Sequence, residues 1–349
     1  MKKFFVSVFA VMAVLASCQK NEVSNFEPQR PQADGDRVDL VVGIQGKNLA
    51  TRATGVVGDA TDEEKVNKLE VFVFNKANNE LDAYGTVNDA LEITISCTAG
   101  DRIIYAVVNA EDDLSQIATV DQLLAVVSDL KDNEVAGFEM IGSVEKALPQ
   151  ADKVMIDVNR FAARVLLKQV VRNFASSALE ALDFSVDAVY LTNVGTQMNY
   201  GCTMENTVWY NQFKVANGLP FVSEFAALTY DALGTPATLA EEEDYSVAHY
   251  LYAYPNPHYD GELDGGVDVD AETRIVVEVT LGGTKYYYPI ALPALESNKS
   301  YEINKLTLTR PGSLSPDQEI TVVDAEFEIN VVDWTPVLLG ENGDGIIEI

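Results

Sequence analysis

Four apolar residues at every second position, Val38, Leu40, Val42 and Ile44, constrain this chain more than any other feature. Alternate side chains of an extended strand share a face, so this stretch buries one side and wets the other. Short strands of this kind recur. Leu69–Asn75 is apolar on both faces, as in a strand enclosed by a core. Leu91–Cys97, Ile103–Asn109 and Phe138–Val144 follow, then Val154–Val158, Ala163–Val171, Val186–Thr192, Val247–Tyr254, Arg274–Leu281, Tyr301–Thr309 and Ile320–Val332. Gly282-Gly283 joins Val277–Leu281 to Thr284–Ile290 as a two-residue hairpin turn. Thr119 and Gln122 form a capping box ahead of a helix whose face carries Val120, Leu123, Leu124 and Val127. A second short helix is predicted at Ser176–Leu182. Many short strands separated by turns predict a mostly β fold of two antiparallel β-sandwich domains. The break at Leu148–Asp152 divides them into 53–150 and 151–349.

The N-terminus reads as a targeting segment. Lys2 and Lys3 precede the thirteen-residue apolar run Phe4–Ala16, which is shorter than the roughly 20 residues a bilayer span needs. It ends in Leu15-Ala16-Ser17-Cys18, the pattern of a bacterial lipoprotein signal. Residues 1–17 are then removed, and Cys18 carries the acyl chains. Residues 21–37 are polar, contain proline and show no period, as a tether does.

Composition excludes much chemistry. The chain carries 24 Lys+Arg against 54 Asp+Glu, and such a surface repels phosphate backbones, so nucleic acid is not a partner. Two histidines and three cysteines supply no zinc cage or iron–sulfur cluster. Cys97 continues the alternation of Leu91, Ile93 and Ile95 and is expected to be a small buried hydrophobe; a disulfide with Cys202 stays open. His249 and His258 flank an aromatic strand without a nucleophile elbow or a zinc-binding helix, so no catalytic residue and no cofactor is assigned. Asp260, Glu262, Asp264, Asp268 and Asp270 crowd a glycine-rich stretch that lacks EF-hand spacing; calcium there is weighed against a solvated loop. Tyr250, Tyr252, Tyr254 and Tyr286–Tyr288 could stack on sugars, but alternation makes core packing their default.

Taken in order, these landmarks resemble a fimbrillin of the Bacteroidales, a FimA-like subunit of the type V pilus. The resemblance rests on the signal ending at Cys18 and the strand Val38–Ile44 followed by Leu49-Ala50-Thr51-Arg52-Ala53. Further landmarks are Leu69-Glu70-Val71-Phe72-Val73-Phe74, Asn159-Arg160-Phe161-Ala162-Ala163-Arg164-Val165 and Val189-Tyr190-Leu191-Thr192-Asn193-Val194. Asn298-Lys299-Ser300-Tyr301, Leu306–Gly312 and Val331-Val332-Asp333-Trp334 complete the set. The resemblance implies transthyretin-like sandwiches and a structural, non-enzymatic subunit of a cell-surface fimbrium that supports adhesion, a stalk subunit given the C-terminal tail. It implies export to the outer membrane as a lipoprotein, with membrane lipid as an early partner. An Arg-specific protease would cut Arg52–Ala53, so that 18–52 is a lipidated propeptide. Loss of Val38, Leu40, Val42 and Ile44 would open a groove for a strand from another copy or another pilus subunit.

The physical logic stands beside the resemblance. Four buried aliphatic side chains are worth about 6–12 kcal/mol, comparable to a domain's whole stability of ~5–15 kcal/mol. An opened groove therefore favours a replacement strand. The fifteen residues 335–349 extend about 50 Å and are rich in apolar side chains, with Val337, Leu339, Ile346 and Ile349 as donor candidates. A tail folded back on its own domain is the competing reading for this segment. Trimming leaves 17 basic against 49 acidic residues, so assembly rests on strand insertion and not on charge attraction. The alternative for the whole chain is a monomeric surface lipoprotein that binds glycans through its tyrosines; an exported glycosidase is a more distant one.

Overall fold

The computed structural model describes residues 35–45, 62–204, 206, 208–211, 221–222, 228–239, 244–257, 262–263, 267–268, 272–316, 318, 320 and 324–334. The alternating stretch forms β1 (Arg37–Gln45). It is followed by β2 (Lys68–Asn75), β3 (Leu81–Asn88), β4 (Glu92–Thr98), β5 (Gly100–Val108), β6 (Val127–Asp129), β7 (Met140–Leu148), β8 (Asp152–Asp157) and β9 (Asn159–Arg160). These strands make a three-stranded sheet β4-β1-β8 and a five-stranded sheet β3-β2-β5-β7-β9. Leu40, Val42 and Ile44 are buried and Val38 is partly buried, as alternation requires. In β2, Leu69 through Phe74 are all buried, so this strand is enclosed on both faces.

The remaining strands begin with β10 (Ala163–Leu167), β11 (Val170–Arg172), β12 (Phe184–Thr192), β13 (Val194–Gly195), β14 (Gln197–Asn199), β15 (Trp209–Tyr210) and β16 (Phe221–Val222). Next come β17 (Tyr230–Leu239), β18 (Asp244–Tyr245), β19 (His249–Ala253), β20 (Glu262–Leu263) and β21 (Val267–Asp268). The last four are β22 (Arg274–Leu281), β23 (Thr284–Ala291), β24 (Lys299–Leu308) and β25 (Ala325–Asp333). A six-stranded sheet is built on β24. It takes β10 and β11 in parallel along one edge and β25 antiparallel along the other, with β19 and β18 beyond β10 and β11. The sheet β17-β12-β22-β23 is its counterpart. The described residues are therefore mostly β, in mainly antiparallel sandwiches with two short α-helices. Strands β8 and β9, beyond the Leu148–Asp152 break, still pair with β1 and β7. The small pair β6–β14 links the two sets of sheets.

Local rules explain the connections. Gly282 and Gly283 turn β22 into β23 with φ of 55° and 80°, the left-handed pair that a tight hairpin needs. Helix α1 (Val120–Leu124) is capped by Thr119, whose hydroxyl accepts from Gln122 N at 3.3 Å. Gln122 reaches back to Ala118 N at 2.9 Å instead of to the cap residue itself. The helix stops short of Val127, which lies exposed on β6 opposite Asn199. Its expected place on the helix face is corrected: β-branched Val126-Val127 are weak helix formers, and the carbonyls of Leu124 and Val126 accept from Gly201 and Tyr200. Helix α2 (Ser177–Glu180) falls where the second helix was expected.

Because Leu40 is fully buried in the three-stranded sheet, Leu40→Ala is expected to cost about 2–5 kcal/mol. Asp39→Ala, on the exposed face of the same strand, is expected to cost little. Urea unfolding of both variants checks the contrast through the shift in midpoint.

Candidate functional site

The site is the lane that β1 occupies. Along one edge β1 runs antiparallel to β4, from Arg37 opposite Thr98 to Gly43 opposite Glu92. Along the other it runs parallel to β8, from Leu40 opposite Asp152 to Gln45 opposite Asp157. Among the described residues β4 and β8 pair only with β1 in the three-stranded sheet, so removing it exposes two unpaired edges facing one vacant, apolar-floored lane. The β4 wall does not depend on β1 for all of its support. The end of β4 is pinned by Asp82, which accepts from Thr98 N at 2.6 Å and from the Thr98 hydroxyl. Arg102 binds the carbonyls of Thr98, Asp101 and Ala99 at 3.0, 2.9 and 2.8 Å and pairs with Asp82 at 3.4 Å. At the far end, Val158 N donates to Gln45 O at 3.1 Å.

Next to that end lies a buried polar junction that motif reading overlooked. Glu63, in the 3-10 turn Asp62–Glu64, is 2% exposed. Its carboxylate accepts from Arg164 at 2.9 Å, from the Trp334 indole at 2.9 Å and from the Tyr252 hydroxyl at 2.6 Å. Its backbone carbonyl accepts twice from Arg160, at 3.2 and 2.8 Å. Arg164 also bonds Ser300 and Glu302, and Lys168 completes the set on Glu302. Burial holds the Arg160 guanidinium below its ordinary range, opposed by Glu63 and Glu64. Burial, reinforced by the Glu63 charge, raises the Tyr252 phenol well above its ordinary value. Burial lifts Glu64 to about 7, with Arg160 pulling the other way. A second buried network joins Tyr254 to Ser128 and to Asn133 at 2.9 Å, and Tyr200 to Glu139 at 3.0 Å.

The structure places Val38, Leu40, Val42 and Ile44 on β1, the last three buried and Val38 partly buried. Cys18, Arg52, Ala53, Val337, Leu339, Ile346 and Ile349 lie outside the described residues, as do His258, Asp260, Asp264 and Asp270. Glu262 and Asp268 fall on β20 and β21. Cys97 is buried and free, and Cys202 is exposed and free, so they do not pair. His249 is a structural strand-end histidine, with Nδ1 2.7 Å from Asp231 and Nε2 3.0 Å from the Tyr245 hydroxyl. Tyr252, Tyr254 and Tyr288 are core residues. Among the described residues, no group of three His, Cys, Asp or Glu is placed to hold a metal. Arg160 and Arg164, set among apolar neighbours, carried a signal for the junction. Glu63 did not, because Asp62-Glu63-Glu64 reads as a solvated acidic run.

The described strands form mostly antiparallel sheets, with β1 set between β4 and β8. Residues 37–167 match the family described as "Major fimbrial subunit protein (FimA)". The chain is 25% identical over 223 residues to the "Putative fimbrium tip subunit Fim1C" of Parabacteroides distasonis, covering 56% of this chain and 58% of that relative's length. Its fold is similar to that of a fimbrilin from Porphyromonas gingivalis, with a TM-score of 0.63, 16% identity and coverage of 85% of this chain and 98% of the other. It is also similar to a "putative cell adhesion protein" from Bacteroides eggerthii, with a TM-score of 0.62, 20% identity and coverage of 87% and 98%. The resemblance to Bacteroidales fimbrillins is borne out.

The Glu64 shift sets a pH dependence. The folded state takes up this proton near pH 7, the unfolded chain only near 4.5, so the contribution of Glu64 to stability rises as pH falls across that window and is lost as pH rises through it. Glu64→Gln, neutral throughout, is expected to raise the melting temperature relative to wild type at pH 8. That difference should shrink toward pH 5, as thermal unfolding at the two pH values will show.

Proposed function

We propose that the protein is a structural subunit of a cell-surface fimbrium, matured by trimming and joined to its neighbours by strand exchange. The observation that carries this reading is the position of β1 as the only sheet partner of both β4 and β8 among the described residues. The three fully buried side chains of β1 correspond to roughly 5–9 kcal/mol of burial, to which the lost ladder bonds on both edges add. A lane of that value with two bonding edges favours a replacement strand, and strand addition is a recognised mode of peptide capture. Export on a lipid at Cys18, cutting at Arg52–Ala53 by an Arg-specific protease, and donation of 335–349 complete the scheme. Each element is set in this order along the chain: anchor, strand, cut, fold, donor. Its role is structural and not enzymatic, and its partners are other fimbrial subunits, alike or different.

Within the scheme we assign the chain to the stalk, where a subunit both accepts and donates a strand. The name of the Parabacteroides relative favours a second reading, a place at the tip. A terminal subunit needs only one of the two operations, so the two readings part at the tail. Glycan capture by a monomer is the weaker alternative, because Tyr252, Tyr254 and Tyr288 are committed to the core.

Arg52→Ala is expected to leave a folded, lipidated monomer on the cell surface, seen by gel filtration of extracted surface protein; ordinary polymer from that variant would overturn the maturation step. Deletion of 335–349 is expected to abolish polymerisation of the trimmed protein while barely changing the monomer's melting temperature. A large loss of monomer stability would instead favour a tail folded on its own domain, and unchanged polymerisation would remove the tail as donor. Cys18→Ala is expected to leave the precursor without lipid and off the surface, as surface labelling of cells will show.

A further inference from the structure

Trp334 is the last described residue, and its surroundings fix it from every side. It is 2% exposed. Its ring lies 4.7 Å from the Arg160 guanidinium and 5.4 Å from that of Arg164, and it stacks on Tyr252 at 5.6 Å with 25° between planes. Phe138 meets it edge-on at 5.4 Å. Its indole N–H donates to the Glu63 carboxylate, and its backbone N–H donates to Asn298 O at 3.0 Å. Asn298 in turn donates to Asn159 at 2.9 Å, one residue beyond the Val158 that bonds Gln45 of β1. An unbroken series of contacts thus runs from the end of the lane to the point where residues 335–349 begin.

We infer that Glu63, held by Arg160 and Arg164, is a positioning clasp that ties the root of the C-terminal segment to the root of the trimmed N-terminus, and that it takes over the anchoring of the 62–64 turn once β1 has gone. In the uncut chain that turn is tethered through residues 46–61 to β1, which is bonded on both edges. After a cut at Arg52–Ala53 the same turn follows a new chain end, and chain ends fray first unless they are tied down. Asn109 still holds Lys65 O at 2.8 Å and Val66 is fully buried, but the ties on the turn itself include the bonds of Glu63 and Arg160. They hold Trp334 as well, so losing them would loosen the start of the tail and the edge strand β25, whose Phe327 and Val331 are already exposed. A buried ion cluster is a weak device for stability alone, since apolar packing often serves as well; fixing geometry is the better-attested use. The geometry stands without the strand-exchange reading, but the function of the clasp in assembly rests on it.

The test replaces residues 49–54 of the full chain with the site of an unrelated sequence-specific protease, so that cutting does not rely on an Arg-specific enzyme. Exchange of the Trp334 indole proton is followed by NMR in dilute protein, before and after cutting, with Trp209, the other tryptophan, as internal control. Glu63→Gln is expected to speed Trp334 exchange less than about threefold in the uncut chain. After cutting it is expected to do so about tenfold or more, the factor that corresponds to losing one hydrogen bond to a charged group. Trp209 should not respond. An equal effect before and after cutting overturns the clasp and leaves ordinary core packing. If Glu63→Gln does not fold, Trp334→Phe takes its place, read by amide exchange of residues 329–333 under the same comparison. A cut-dependent effect of Glu63→Gln, with cut protein carrying Glu63 that never polymerises at high concentration, would refute strand exchange and leave the clasp standing. Normal polymer with no cut-dependent effect would do the reverse.

Discussion

The N-terminal sheets depend on a single strand in the middle of a three-stranded sheet. β4 and β8 make no ladder with each other, so the backbone groups they turn toward the lane are satisfied by β1 alone. Its two edges differ, one antiparallel and one parallel, and a replacement must satisfy both whichever way it runs. The inward side chains at 40, 42 and 44 add an apolar floor whose period fixes the register, because a shift by one residue would turn the wrong face to the core. A strand placed this way is strongly held while it is present, and its loss leaves a vacancy of matching strength.

The second organising feature is the charge buried at Glu63. Arg160, Arg164 and Glu302 would be costly in a dry interior without partners, and each finds one close by. The cluster draws together residues far apart in sequence: the turn before β2, the strands β9 and β10, the strand β19, and Trp334 just after β25. With Tyr254, Ser128 and Asn133 it joins the two sets of sheets through polar contacts as well as apolar packing. Glu63 and Trp334, far apart in sequence, therefore share one small region.

Much of the fold was legible in local pattern. The alternation of β1, the doubly buried β2, the Gly282-Gly283 hairpin, the Thr119 cap and the burial of Cys97 follow from periods and turn chemistry that act over a few residues. Val127 escaped because its partner Asn199 lies far along the chain and no local period reports it.

The sequence by itself determined that this is an acidic, mostly β chain with a strand at residues 38–44 built to bury one face. Composition and side-chain alternation are properties of neighbours and need no knowledge of the rest. Only the tertiary structure decided that, among the described residues, this strand is the sole bridge between β4 and β8, and that Glu63, in a run of three acids, is the one on whose carboxylate Trp334 rests. Pairing order and the burial of a charge are set by contacts between segments distant in sequence. A carboxylate in an acidic run looks the same whether it faces water or two arginines.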